Sequence, residues 1–443
     1  MKLWSTQSSS SILVNNFTVG NDRGFDLELA ECDVLGSIAH AKMLCAAKLI
    51  SPGEEFALTE ALKEMLVKIR EGTFSIDENC EDIHSQVEFL LTEQLGETGK
   101  KIHTARSRND QSLLDIKLFC RKKIKQLTAD TEKLFRLLIT LSEKHKDDLV
   151  PGYTHLQLAM PSSFGLWFAA YAESLCDDLE LLLAAYHIAD KNPLGSAAGY
   201  GSSFAIDREL TTSLLGFSGM NVNSVYAQMT RGKTEKTVAN AVAGIAATLS
   251  KMAMDCTLFM NQHFGFISFP GGLTTGSSIM PHKKNPDVFE LIRGKCNRLQ
   301  ALPNEFALLL GNLPSGYHRE FQLTKEILFP AFNIITDCMS MMMLMLENVE
   351  VKKNILEDEN FNSLFTVDKV NQLVASGMSF RDAYHEVSAQ VNTGTFTADR
   401  TSTTSHTGSI NNPGNSLIVK DFEAILARFS FGKAEEALER LKK

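Results

Sequence analysis

Proline is absent from residues 53–150, 194–269 and 331–412 of this 443-residue chain. Proline interrupts helix interiors, so these three stretches permit unusually long helices. They also carry helical periodicity. Val238, Val242, Ile245, Leu249, Met252, Cys256 and Phe259 recur at alternating steps of four and three, an a/d seam of about six turns. Ile124, Leu127, Thr131, Leu134, Leu138 and Leu141 form a second stripe. Residues 164–189 are apolar on nearly every turn, which predicts a helix central in a bundle. The apolar run 339–346, between Asp337 and Glu347, reads as a buried helix. Alternating β-branched runs are few. The expectation is an all-α protein of three helical domains around a central long-helix bundle. Boundaries near residues 105 and 350 divide it into 1–105, an N-terminal helical domain, 106–350, the central bundle, and 351–443, a C-terminal helical domain. A loose stretch is expected near 393–415.

Charge and cysteine usage narrow the class. Lys+Arg 44 against Asp+Glu 53 gives a net charge of −9, which argues against nucleic-acid and anionic-membrane partners. The eight cysteines are scattered, with no CxxC, and fit a reducing compartment. Residues 1–15 show no apolar leader core, and no apolar run reaches membrane-spanning length. The expected location is the cytoplasm. There is no HExxH or zinc-finger spacing, so no metal site is expected. Gly232-Lys233-Thr234 lacks the first glycine of a phosphate loop, because residue 227 is alanine. Gly195 to Gly201 lacks dinucleotide spacing, and neither Ser202 nor Ser277 sits in a GxSxG elbow.

Three loop-like segments interrupt the helices: 151–155, 192–202 and 269–287. The third holds Gly276-Ser277-Ser278-Ile279-Met280-Pro281-His282-Lys283-Lys284-Asn285-Pro286, followed by Glu290. Such a loop can turn backbone N–H groups and a cation toward an anion. A serine hydroxyl is a poor base unless its alkoxide is stabilised, and nearby amides with Lys283 would do that. A solvated, turn-rich surface loop fits the same residues. His155 follows a Pro-Gly turn; it fits a surface role, or an acid–base role through its titration range.

Gly276 to Pro286 resembles the GSSxMPxKxNP signature of the fumarase/aspartase superfamily. The Lys283-Lys284-Asn285 form is similar to its argininosuccinate lyase family. His103-Thr104-Ala105-Arg106-Ser107-Arg108-Asn109-Asp110-Gln111 resembles the same family and is the most discriminating match. Residues 151–161, 81–85 and 317–325 fit it too, so the resemblance spans about residues 20–410. Ala105 stands where that family usually has glycine, and His282 where it often has glutamine.

The resemblance implies cleavage of argininosuccinate to arginine and fumarate in arginine biosynthesis, without cofactor or metal. It implies a homotetramer with a twenty-helix core, active sites shared between three subunits, and a small-molecule substrate as the ligand. Under it, Ser277, Lys283, His155 and Glu290 are the catalytic residues. Ser277 removes a proton beside a carboxylate, Lys283 stabilises the dianion, and His155, held by Glu290, helps protonate the leaving group. Which of Ser277 and His155 is formally the base stays open. Ser107, Arg108, Asn109, Thr154, Asn285, Tyr317, Gln322, Lys325 and His84 are implied substrate ligands. The heptad stripes are implied to be intersubunit core. An N-terminal contact near Asp22 is left unassigned. A sister lyase acting on adenylosuccinate and a non-catalytic δ-crystallin-like relative are the alternatives.

Overall fold

The computed structural model describes residues 9–401 and 404–443; the first residues read for a leader, 1–8, lie outside them. The helices in chain order are α1 (Ser9–Val19), α2 (Asp22–Ala46), α3 (Pro52–Arg70), α4 (Ile83–Leu95), α5 (Glu97–Lys100), α6 (Arg108–Lys144), α7 (Phe164–Ala189), α8 (Arg208–Leu214), α9 (Ser224–Met229), α10 (Lys233–Met260), α11 (Asp287–Leu299), α12 (Leu302–Leu309), α13 (Leu323–Glu347), α14 (Thr366–Ala375), α15 (Phe380–Asn392), α16 (Asn415–Leu426) and α17 (Phe431–Lys442). The strands are short. β1 (Leu149–Thr154) and β2 (Gln157–Ser163) form an antiparallel hairpin between α6 and α7. Two-residue pairings join 191–192 to 219–220 and 267–268 to 350–351.

Three of the long helices, α6, α7 and α10, are ones the periodicity predicts, whereas α2, of 25 residues, lies in the part expected to hold shorter helices. α6 starts on a capping box, in which Ser107 Oγ accepts from the Asn109 amide and Asp110 Oδ1 accepts from the Ser107 amide. α7 starts on Ser163, whose Oγ accepts from Leu166 N at 3.1 Å. At the head of α10, Glu235 accepts from Gly232 N at 2.8 Å. Gly232-Lys233-Thr234 therefore opens a helix that follows α9, not a strand. α6, α7, α10, α11 and α13 pack side by side, and α16 covers α7.

One expectation needs correction, and one helix runs through a proline. Pro330 lies inside α13. The lost hydrogen bond and ring clash cost about 3 kcal/mol, and burial of the adjacent Leu328, Phe329, Ala331 and Phe332 offsets this. The a/d stripe of α10 is also not left open for a neighbouring subunit. Val238, Val242, Ile245, Leu249, Met252 and Cys256 are buried within the single chain, because α7, α11 and α13 close over them. The bundle leaves large apolar side chains exposed elsewhere, among them Leu181, Met254, Leu291, Met341 and Leu344. α10 and the stretch 319–347 are long and apolar enough to cross a membrane by length and composition, yet their apolar faces are core faces of this bundle.

One connected core runs from α2 to α17. Val370, Ala383 and Val387 make a small separate cluster between α14 and α15.

Candidate active site

The site residues named from sequence fall into two groups. The first gathers at the N-terminal end of α6. Ser107 caps that helix, and Arg108 and Asn109 form its first turn. Asp82, which caps α4 by accepting from Ser85 N at 2.7 Å, also accepts from Arg108 Nη1 at 3.3 Å. Glu81 joins this face to the segment before α13 through Arg319 Nη2 at 2.9 Å. On that segment Tyr317 is exposed beside Gly316, whose φ is +106°. Gln322 donates to the carbonyls of Thr18 and Val19 at 3.0 and 3.2 Å, closing the end of α1. Lys325 Nζ lies 2.5 Å from both Asp22 and Asp26 and is buried. Burial pushes the Asp22 carboxyl up to about 6 against the pull of Lys325. The N-terminal segment left unassigned from sequence is thus the acidic partner of Lys325.

His84 belongs to the wall behind this face. It is buried, with Nδ1 2.5 Å from Asp33 Oδ2 and 3.7 Å from Asp115 Oδ2. Burial alone would lower its pKa, but the Asp33 charge and hydrogen bond, with Asp82 and Asp115, outweigh it and raise the imidazole to about 9. The ligand atoms of Asp33, His84 and Asp115 lie within 4.8 Å of one another, near enough to hold a cation. Protonated His84 already supplies that charge.

The raised pKa has a pH consequence. A histidine near 6.5 when unfolded and near 9 when folded contributes stability fully present below about pH 6.5. That contribution is lost as pH rises through about 9. The thermal midpoint is expected to fall between pH 7 and 9.5 in the parent and to fall less in His84→Gln. Equal slopes in both proteins would contradict the imidazolium.

The second group lies at the opposite end of the bundle. His155 and Leu156 form the two-residue tip of the β1–β2 hairpin, with φ +55° and +58°. This double left-handed turn suits glycine and asparagine, so two ordinary side chains there store backbone strain, held by the hairpin register. Thr154 and His155 are exposed at that tip. Ser277, half-buried, sits in the loop before α11, and its Oγ accepts from the amides of Met280 and Ile279 at 3.2 and 3.4 Å. Lys283 is exposed, and its amide donates to Met280 O at 3.1 Å. Asn285 closes the neck of the loop: its amide donates to Thr275 O at 2.8 Å, and its Nδ2 bonds Thr275 Oγ1 and Gly276 O at 3.2 and 3.3 Å. Glu290 is exposed on the first turn of α11.

Helix lengths separate the groups. α6 has 37 residues, so Asn109 and the hairpin lie about 55 Å apart at 1.5 Å per residue. α7 returns from the hairpin, and the loop after it reaches Asp110 again. α10 then runs back to the hairpin end, where Phe264 stacks on Tyr153 at 5.4 Å. α11 reverses along α10, with Arg293 meeting Met254 and Asn297 meeting Ser250. The Ser277 loop therefore leaves from the hairpin end. Among the described residues, no hydrogen bond or ion pair joins His155 to Ser277, Lys283 or Glu290 within one chain.

The buried acids Asp26, Asp33, Asp110 and Asp115 are not singled out from sequence, and Asp22 is marked there only as lying near an unassigned contact. Only Asp110 had a readable signal, as the acidic partner of Ser107 in a helix-start box. Ala105 has φ +62°, which explains why glycine usually fills that place in the resembling family.

A family model described as "Lyase" matches residues 4–301. The argininosuccinate lyase of Parabacteroides distasonis is 52% identical over 440 residues, covering 99% of each chain. That of Thermotoga neapolitana is 38% identical over 386 residues, 87% of this chain and 97% of the relative. Among solved structures, an EDDS lyase in complex with formate superposes with a TM-score of 0.75 at 20% identity, over 96% of this chain and 93% of that one. A β-carboxy-cis,cis-muconate cycloisomerase from Acinetobacter calcoaceticus gives 0.69 at 16% identity, over 93% and 91%; at such identities the likeness shows the fold. The bundle with its Ser277 loop and α6 start is thus that of a fumarase/aspartase superfamily lyase. Within that superfamily, the chain belongs to the argininosuccinate lyase family.

Proposed function

We propose that this chain catalyses reversible anti β-elimination of argininosuccinate to arginine and fumarate. The observation that carries the chemistry is the pair of backbone N–H groups aimed at Ser277 Oγ. Donors already in place there lower the cost of an alkoxide, so Ser277 serves as the base. It takes the proton from the carbon next to a carboxylate. Lys283 stabilises the dianion that forms. The C–N bond then breaks with its electron pair going to nitrogen, the guanidine so released takes a proton with help from His155 and Glu290 to become the guanidinium of arginine, and fumarate remains. Arg108, Asn109 and Tyr317 suit a ligand with three carboxylates, a guanidinium and an amino group, since charge-assisted donors recognise carboxylates, whereas Lys325 is taken up by Asp22 and Asp26 behind them.

The two residue groups lie too far apart to meet on one small substrate. We infer that a complete site draws on more than one copy, in a homotetramer whose sites are shared between three subunits. The exposed Leu181, Met254, Leu291, Met341 and Leu344 would supply the apolar contacts between copies. The three-domain division and a cytoplasmic location belong to the same proposal.

Incubation of the purified chain with argininosuccinate, and separately with adenylosuccinate, tests the reading. Fumarate should appear with equimolar arginine from the first only. Release from adenylosuccinate alone would favour the sister lyase, and no release from either would favour a structural relative.

A further inference from the structure

The glycine-rich loop 193–202 has no role in the reaction as described so far, yet it is built to a fixed shape. Gly195, Ala197, Gly199 and Gly201 all have positive φ, from +50° to +112°. A Cβ on Gly195 would meet Arg208 Cγ at 2.8 Å, and one on Gly199 would meet Gln228 Cγ at 2.9 Å. Most of the loop's bonds are internal or go to its own flanks. Ser196 O accepts from the amides of Gly199 and Gly201, and Gln228 Nε2 donates to Ser196 Oγ and Ala197 O. Two N–H groups do something else. Those of Gly195 and Ala197 converge on one oxygen, Asp110 Oδ2, at 2.9 and 2.8 Å. Converging backbone N–H groups make an anion cradle, and here its anion comes from the chain itself.

Asp110 is fully buried, and its other oxygen accepts from the Ser107 amide at 2.9 Å. One carboxylate therefore bonds the loop and the start of α6, one residue from Asn109 and two from Arg108. The loop in turn reaches the second substrate segment, since Tyr200 Oη lies 3.9 Å from the Cβ position of Gly316, next to Tyr317.

We propose that Asp110 is a positioning residue of the reaction, seating the loop 193–202 against the start of α6 so that Arg108, Asn109 and Tyr317 face the substrate in one geometry. This rests on the proposed elimination reaction and on the assignment of Asn109 to substrate. Asp110 touches no reacting atom. Its loss should weaken substrate binding more than chemistry, because Asp110 holds only the loop and the start of α6, whereas Ser277, Lys283 and His155 reach the proposed site from other copies and are held by their own segments.

Asp110→Asn keeps the side-chain shape but sets an amide against N–H donors. It should raise KM about tenfold or more and change kcat by less than about threefold. Asp110→Ala leaves the cradle empty, and added formate should restore affinity in a saturable way. Unchanged KM in Asp110→Asn would overturn the proposal, as would a folded Asp110→Ala whose KM formate does not improve. If Asp110→Ala fails to fold, the Asp110→Asn result decides alone. Asn109→Ala separates the two readings. If it retains normal kinetics, the substrate assignment fails; if it loses turnover while Asp110→Asn has a normal KM, this proposal alone fails.

Discussion

Ser277→Ala is expected to lower kcat by about a hundred- to ten-thousandfold, the range of a lost general base. The fold should not notice. Among the described residues, Ser277 Oγ bonds only the amides of Ile279 and Met280, two and three residues on in the same loop. No core residue depends on it, so the thermal midpoint should stay within about a degree of the parent. Substrate should still bind, because Arg108, Asn109 and Tyr317 are untouched. The variant is thus expected to hold argininosuccinate without cleaving it. Near-normal turnover, measured as fumarate released by the purified variant, would refute the assignment and move the base to His155.

Leu249→Asp should have the largest effect on stability. Leu249 is fully buried on α10 inside the single chain. The change removes about 1.5–3 kcal/mol of apolar burial and leaves a carboxylate in the core with no partner, at about 3–5 kcal/mol more. Native domains hold about 5–15 kcal/mol in all, so the subunit itself should fail to fold, and circular dichroism should show lost helix. Leu181→Asp is the contrast. Leu181 is exposed on α7, so that variant should keep its helix content and lose only assembly, read by sedimentation. A folded, monomeric Leu249→Asp protein would contradict the burial of the stripe within one chain.

The stripes show how far the sequence carries. A spacing of four and three identifies a helix face that must be buried, and α6, α7 and α10 follow it closely. The same spacing does not say what buries the face. A neighbouring helix of the same chain and one from another copy present the same apolar surface, and here the former takes the a/d positions of α10. Proline reads with a similar limit: Pro52 starts α3, where its missing N–H costs nothing, whereas Pro330 is absorbed within α13 because its neighbours bury large side chains.

The candidate segments were legible because each is local. Ser277, Lys283, Asn285 and Glu290 share one short segment, as do Ser107, Arg108 and Asn109. The supports were not legible because they are distant in sequence. Asp22 and Asp26 meet Lys325 about three hundred residues on, Asp33 meets His84 across two helices, and Asp110 meets Gly195 after a full return of the bundle. His84 shows the cost. Its motif suggests a substrate ligand, and its depth makes it a buried cation in the supporting wall.

The claim that joins fold to function is that one site is assembled from opposite ends of different copies. It is tested by mixing two inactive variants, Ser277→Ala and Asn109→Ala, unfolding the mixture and letting it reassemble. Mixed assemblies would hold some sites with an intact Ser277 loop from one copy and an intact α6 start from another. The account predicts fumarate release well above that of either variant reassembled alone. A mixture that reassembles fully and stays as inactive as its components would contradict it, and would place the whole site within one chain.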